Sequence, residues 1–312
     1  MSPTLVALAL AALTPDPLIA GKPFVLRGGT ETVTALAVSP DGKAVAAGSR
    51  DKTVRVWSLP EGALLRSVPG GEGQINALAF SPDGARLAIG DSGFQVRVVD
   101  VASGEVTTSL AHPSPVSGLD FSPDGTLLAV AGQTDSGAVY ALADGKRRYE
   151  VRGRTVTFSG DGRQLLAGNG AGSLLVIDVK SGKAKKTIAT APHLPWATWT
   201  RDGKLIVSWN GTEADVHLWT PAGKAAGVLP GPGKTGFGGA GAPVVRGFAM
   251  TADGATAVTG CGDGLVRVWD VKAKTVRKTL PSETVSSVAL SSDGAWLVVS
   301  DGALVKLWRL AE

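Results

Sequence analysis

The sequence predicts an all-β fold, a seven-bladed β-propeller of four-stranded antiparallel sheets closed by an N-terminal strand that completes the last blade. Three observations predict it. A four-residue turn ending in Asp-Gly recurs seven times, reading SPDG, SPDG, SPDG, SGDG, TRDG, TADG and SSDG. Its aspartates are Asp41, Asp83, Asp124, Asp161, Asp202, Asp253 and Asp293, spaced by 42, 41, 37, 41, 51 and 40 residues, a period that suits one small sheet per unit. The last unit runs out near Leu310 on its third strand, while residues 23–27 (PFVLR), ahead of the first turn, resemble the missing fourth.

Within a unit the first strand starts on an aliphatic residue eight positions before the aspartate in six cases: Val33, Ile75, Val116, Leu194, Val245 and Val285. It ends on an apolar residue three before it in all seven: Val38, Phe80, Phe121, Phe158, Trp199, Met250 and Leu290. The fourth unit departs, with Gly153 at the earlier position and an aliphatic residue only at Val156. The Asp-Gly pair then reverses the chain, because the carboxylate bonds nearby backbone N–H groups and glycine takes positive φ without a Cβ clash. A second apolar strand follows, as in 87–89 and 127–130. The third strand is the most regular, ending at Trp57, Val99, Tyr140, Ile177, Trp219, Trp269 and Trp308, which lie 16, 16, 16, 16, 17, 16 and 15 residues after their aspartates. Such constancy fixes register, since a slip of one residue turns every apolar side chain to the other face. A fourth, more polar strand closes the unit, as in 64–68 and 275–280. Lys185, Lys186, Arg277 and Lys278 suit an outer edge, where charge discourages pairing with another chain. No stretch keeps the apolar periodicity of a helix, so helix content should be close to nil.

Sheets that are apolar on both faces cannot stand alone and must stack into a ring. With residues 23–27 as the outer strand of the last blade, closure depends on long-range pairing. A competing count of eight blades would use 8–17, which ends TPDP; there Pro17 replaces the turn glycine and no third strand follows. The domains are then 1–21, an apolar N-terminal segment, and 22–312, the propeller. Residues 5–13 (LVALALAAL) fall far short of the roughly 20 needed to span a bilayer as a helix. They read as the centre of a secretory signal ending near Ala20, although no Lys or Arg precedes them, or as an extra strand or arm.

Composition narrows the function classes. The 42 glycines and 18 prolines fit many turns between short strands. A net charge of +4, from 31 basic and 27 acidic residues without a run of five like charges, is too diffuse to imply nucleic acid. Cys261 is the sole cysteine, which excludes an intrachain disulfide and favours a reducing compartment. The expected location is cytoplasmic, or secreted or periplasmic if residues 1–20 are a signal.

The repeated S-P-D-G turn and the VRVWD ending at Asp270 resemble the WD-repeat (WD40) propeller family over 23–310. The resemblance implies a non-catalytic scaffold that holds partner peptides or domains on one face of the disc. It also implies a His, Ser/Thr, Asp and Trp hydrogen-bonded set within blades, which this sequence keeps poorly. Asp51 with Trp57 and Asp263 with Trp269 match the spacing, and Ser49 and Thr259 offer hydroxyls. The histidine position is Gly29 in the first unit and Gly71 in the second; His112 fills it in the third. Blade stability is therefore expected to rest more on apolar packing than on buried polar networks.

Catalysis is hard to assemble from this inventory. His112, His193 and His217 lie in different units with no metal-binding spacing, and Cys261 has no second thiol nearby. No catalytic residue, metal or cofactor is expected. GPGKT at 231–235 lacks a phosphate-loop glycine, because Val228 stands where one is required, and no helix follows. The 51-residue interval instead marks 229–243 as a loop insertion, in which Lys234 and Phe237 offer a charge and an aromatic anchor. Trp196 stands where other units keep Ala35, Ala77 or Gly118; if its strand lines the axis, it would narrow the channel mouth beside His193 and Arg201. Arg147 and Arg148, with Lys146, Tyr149, Arg152 and Arg154, form the one dense basic patch, readable as an interaction surface or a solvated edge.

The expected partner is a protein or peptide, with no specific nucleic acid and no transmembrane span, bound by a module monomeric by itself. A propeller hydrolase or lyase using the axial cavity is the alternative, and a secreted structural domain the third reading. Three or more titratable groups converging on the axis would favour catalysis; an apolar or plugged axis would favour the scaffold.

Overall fold

The computed structural model describes residues 23–190, 196–209, 215–231 and 244–310, and these form seven four-stranded antiparallel sheets with no helix among the described residues. The short β1 (Phe24–Leu26) comes first. Blade 1 is β2 (Val33–Val38), β3 (Ala44–Ser49), β4 (Thr53–Ser58) and β5 (Leu64–Pro69). Blade 2 is β6 (Ile75–Phe80), β7 (Arg86–Asp91), β8 (Gln95–Asp100) and β9 (Val106–Ala111). Blade 3 is β10 (Val116–Phe121), β11 (Leu127–Gly132), β12 (Gly137–Ala141) and β13 (Arg147–Val151). Blade 4 is β14 (Thr155–Phe158), β15 (Gln164–Asn169), β16 (Ser173–Asp178) and β17 (Ala184–Ala189). Blade 5 is β18 (Trp196–Trp199), β19 (Ile206–Trp209), β20 (Val216–Trp219) and β21 (Ala225–Leu229). Blade 6 is β22 (Val245–Met250), β23 (Thr256–Cys261), β24 (Leu265–Asp270) and β25 (Thr275–Pro281). Blade 7 is β26 (Val285–Leu290), β27 (Trp296–Asp301), β28 (Leu304–Arg309) and, as its outer strand, β1.

The closing strand is where the sequence places it. Phe24 pairs with Leu307, Val25 with Lys306 and Leu26 with Val305, all antiparallel. The fourth unit's departure also has a structural counterpart. Inner strands β2, β6, β10, β22 and β26 carry a register shift just after their leading aliphatic residue. With Gly153 in that position, β14 begins only at Thr155 and pairs without a shift.

Each Asp-Gly turn is a small hydrogen-bonded device. The Ser39 hydroxyl donates to Asp41 Oδ1 at 2.6 Å and accepts from Ala44 N at 2.9 Å, while Lys43 N donates to the same carboxylate at 3.0 Å. The same three bonds recur in the other six turns, with Thr200 and Thr251 as the hydroxyl in blades 5 and 6. These bonds hold Asp41, Asp83, Asp124, Asp161, Asp253 and Asp293 below the usual carboxylate range. In Asp202 burial pushes upward, and the same bonds overcome it.

The core lies between blades. Seven buried apolar clusters fill the seven junctions, one cluster for each pair of neighbouring blades, including the junction of blades 7 and 1. The leading aliphatic residue of one blade sits on a glycine of the preceding one. A Cβ at Gly48 would lie 2.3 Å from Ile75, one at Gly90 2.4 Å from Val116 and one at Gly260 2.4 Å from Val285. In blade 5 the equivalent residue is Trp209, which packs on Phe248 of β22 with ring centroids 4.9 Å apart. We expect Gly90→Ala to destabilise by about 1–3 kcal/mol through overpacking. Combined with Val116→Ala it should cost less than the sum of the two single changes in denaturant unfolding, because they share one space.

Candidate functional site: the axial cup of the turn face

The seven turns pack edge to edge around the axis. Gly84 faces Pro40, Gly125 faces Pro82 and Gly162 faces Pro123, each glycine at positive φ. Between blades 7 and 1 the Ser292 hydroxyl donates to the Pro40 carbonyl at 2.6 Å. This ring frames an axial cup of about 400 Å³. All seven apolar residues three positions before the turn aspartates, Val38, Phe80, Phe121, Phe158, Trp199, Met250 and Leu290, line it. Their spacing from the turn makes them end every inner strand at the same height, so a residue that reads as core also forms the wall of the opening.

Among the described residues, two charged side chains line the cup. Arg201 stands exposed in the turn of blade 5, and Asp120 lies one residue deeper than the apolar ring on β10. At the equivalent depth other units carry Ala37, Ala79, Thr157, Thr198, Ala249 and Ala289. The Asp120 carboxylate accepts Phe158 N–H at 2.6 Å and the Thr157 hydroxyl. It keeps some surface toward the opening and is enclosed by protein elsewhere. That burial pushes its carboxyl up to about 7, against the downward pull of those bonds. Sequence reading passed over Asp120 because aspartate is common in this chain; the signal was a lone charge at a depth where every other unit is small.

The other expected site residues are dispersed. Trp196 opens β18 opposite Trp209, at the strand end remote from the turn, and is 38% exposed; it does not share the cup with Arg201. His193, Lys234 and Phe237 lie outside the described residues, as does most of the 229–243 insertion. The basic patch is interleaved with acids: Arg147 pairs with Glu150 at 2.7 Å, Arg148 with Asp144 at 3.1 Å and Arg154 with Asp135 at 3.3 Å. Arg147 and Arg148 sit on the outer strand β13, whereas Arg154 precedes the inner strand β14.

Blade-internal polar sets are partly formed. The Trp269 indole N–H donates to Thr259 Oγ1 at 3.0 Å, and Trp219 donates to Ser208 Oγ at 2.9 Å. In blade 1 the Ser49 hydroxyl instead donates to the Glu31 carbonyl, and Asp51 pairs with Arg55 at 2.9 Å. Burial pushes the Asp51 carboxyl upward, yet bonds from Thr53, Thr30 and Arg55 hold it well below the usual range. Asp263 with Arg267 at 2.6 Å and Asp301 with Lys306 repeat the pairing in blades 6 and 7, so a cation on the third strand replaces the absent histidine. His112 is buried, donates from Nδ1 to the Ser114 carbonyl at 2.9 Å, and bonds the Ser136 backbone of blade 3. Cys261 is buried and free, and burial pushes its thiol up. Among the described residues no three His, Cys, Asp or Glu side chains group so as to hold a metal, and no helix is long and apolar enough to cross a membrane.

Four strands per repeat, an Asp-Gly turn between the inner two and a ring closed by the N-terminal strand define a WD-type propeller. The family model for the WD domain, G-beta repeat, matches residues 22–58, 62–100, 104–140, 234–270 and 274–309, more than half of the chain, and the chain belongs to that family. The unmatched stretch holds blades 4 and 5, and with them the inner strand β14 that begins only at Thr155. Among curated relatives, angio-associated migratory cell protein from Homo sapiens and from Pongo abelii are each 33% identical over 174 residues, 54% of this chain. The match spans 37% of the length of those relatives.

Proposed function

We propose that the chain is a non-catalytic scaffold that binds a partner peptide or protein domain on a face of the propeller. The observation that carries this reading is the cup, a concave opening of about 400 Å³ in which a ring of seven apolar side chains lies beside turn hydroxyls, one acid and one arginine, a mixture suited to holding a peptide side chain. A ring of interlocked blades presents such a surface at little ordering cost on binding. The WD-repeat fold is typical of interaction scaffolds, and fold alone names no partner.

The test is capture of native partners by the full chain and by three variants. Ala252→Arg obstructs the cup mouth, Trp196→Ala alters the far end of the axis, and the pair Arg147→Glu with Arg148→Glu reverses charge on the outer edge. A partner that survives added salt and is lost with one of the first two variants is the expected result. Loss confined to the edge variant and to raised salt would move binding off the disc faces and overturn the reading.

A further inference from the structure

We propose that the axial cup binds the side chain of a single basic residue presented by the partner, packing its aliphatic stem within the apolar ring and setting its cation on Asp120. The proposal deepens the scaffold reading and rests on it. Three features carry it. First, the walls suit such a guest: Phe121, Phe158 and Trp199 surround the axis, and aromatic faces attract cations as well as alkyl chains. Second, the depth fits, because Asp120 and the rim residue Arg201 lie three residues apart in the repeat, on the order of 10 Å. A four-carbon stem plus one hydrogen bond spans that distance. Third, Asp120 lines the cup and has no cationic partner among the described residues, its carboxylate accepting from Phe158 N–H and the Thr157 hydroxyl of β14.

The surroundings of Asp120 make the binding depend on pH. Of the strands packed on β10, β6, β11 and β14 carry no titratable side chain, and β7 carries Arg86 and Asp91. The Arg86 guanidinium lies over the Phe121 ring at 5.5 Å and donates to the Gly125 carbonyl at 2.9 Å, so it is engaged outside the cup. Arg201, at the rim, is solvated and screened. A docked ammonium favours the ionised carboxyl, so binding releases a proton as pH falls through the range where empty Asp120 titrates.

The probe is n-butylammonium, the terminal part of a lysine side chain, titrated into the isotope-labelled full chain while the Phe158 amide resonance is followed. We expect a saturable shift whose affinity tightens by about thirtyfold from about pH 5.5 to about pH 8.5. 1-Butanol, of the same length and uncharged, should bind at least tenfold more weakly at the higher pH. Asp120→Asn, whose amide oxygen keeps the Phe158 bond, should abolish the pH dependence and the preference for the cation. Lys278→Gln, on the exposed outer strand β25 and away from the cup, should leave both in place and serves as a second folded variant. Equal binding of butanol and butylammonium, retention of the preference in Asp120→Asn, a response to butyrate instead, or no saturation up to about 100 mM would each overturn the proposal. None of these outcomes touches partner capture, so failure of the cup and failure of the scaffold reading are told apart.

Discussion

Deleting residues 23–27, or replacing Leu26 by aspartate, is expected to lower stability by about 4–6 kcal/mol, a large share of what a domain possesses. Three residues of β1 do more than their length suggests because they act on two blades. Their backbone completes blade 7 by pairing with β28. Leu26, 3% exposed, belongs to the same buried cluster as Val33 and Trp57 of blade 1. Phe24 lies against the β4–β5 turn, where a Cβ on Gly62 would come within 2.2 Å of its ring. Without β1, β28 becomes an open edge and the last junction loses its outer seal. Urea unfolding should show a much lower midpoint for the shortened chain. A permuted chain that attaches these residues directly after β28 and opens between blades 1 and 2 should recover most of it, since the sheet order is then contiguous. An unchanged midpoint on truncation would show that the ring does not depend on this strand.

That strand was legible because the repeat leaves an arithmetic remainder: seven turns, a last unit with three strands, and a spare strand-like segment at the start. The inner-strand and third-strand positions were legible for a related reason, since constant offsets from the turn aspartate fix which side chains face a neighbour. Relations between blades were less visible. Ile75 is plainly apolar, but its seat on Gly48 pairs residues in different repeats and shows up only when the blades stack. Trp209 illustrates the same gap, for it looks like an ordinary strand-end tryptophan and instead fills a place that is glycine in blades 1, 2, 4 and 6. Asp51 and Asp263 match the spacing of a histidine-based set; their pairing with Arg55 and Arg267, and that of Asp301 with Lys306, follows from side chains that alternate onto the same face across one tight turn. Trp196 and Arg201 are close in sequence and stand at different ends of the inner strand, because in a strand five residues cover on the order of 16 Å.

Asp120→Asn is expected to stabilise the chain above neutral pH, by about 2 kcal/mol, while leaving it unchanged in acid. The sign follows from the direction of the shift. A carboxyl at about 7 in the folded chain, against an ordinary 3.8, favours folding while it is protonated. That contribution is complete below pH 3.8, declines as the unfolded chain ionises first, and is gone once pH passes the folded value. A shift of this size corresponds to at most about 4 kcal/mol, and the part of Asp120 that faces the opening reduces it to roughly half. The turn aspartates act in the opposite window. Held below their ordinary value by turn hydroxyls and backbone N–H groups, they stabilise above pH 3.8 and lose that effect as pH falls further. Unfolding midpoints of the native chain and Asp120→Asn should therefore coincide near pH 3.8, separate progressively toward neutrality, and run parallel above it. Parallel curves across the whole range would mean that Asp120 ionises like a surface carboxylate, and that the cup does not hold it away from water.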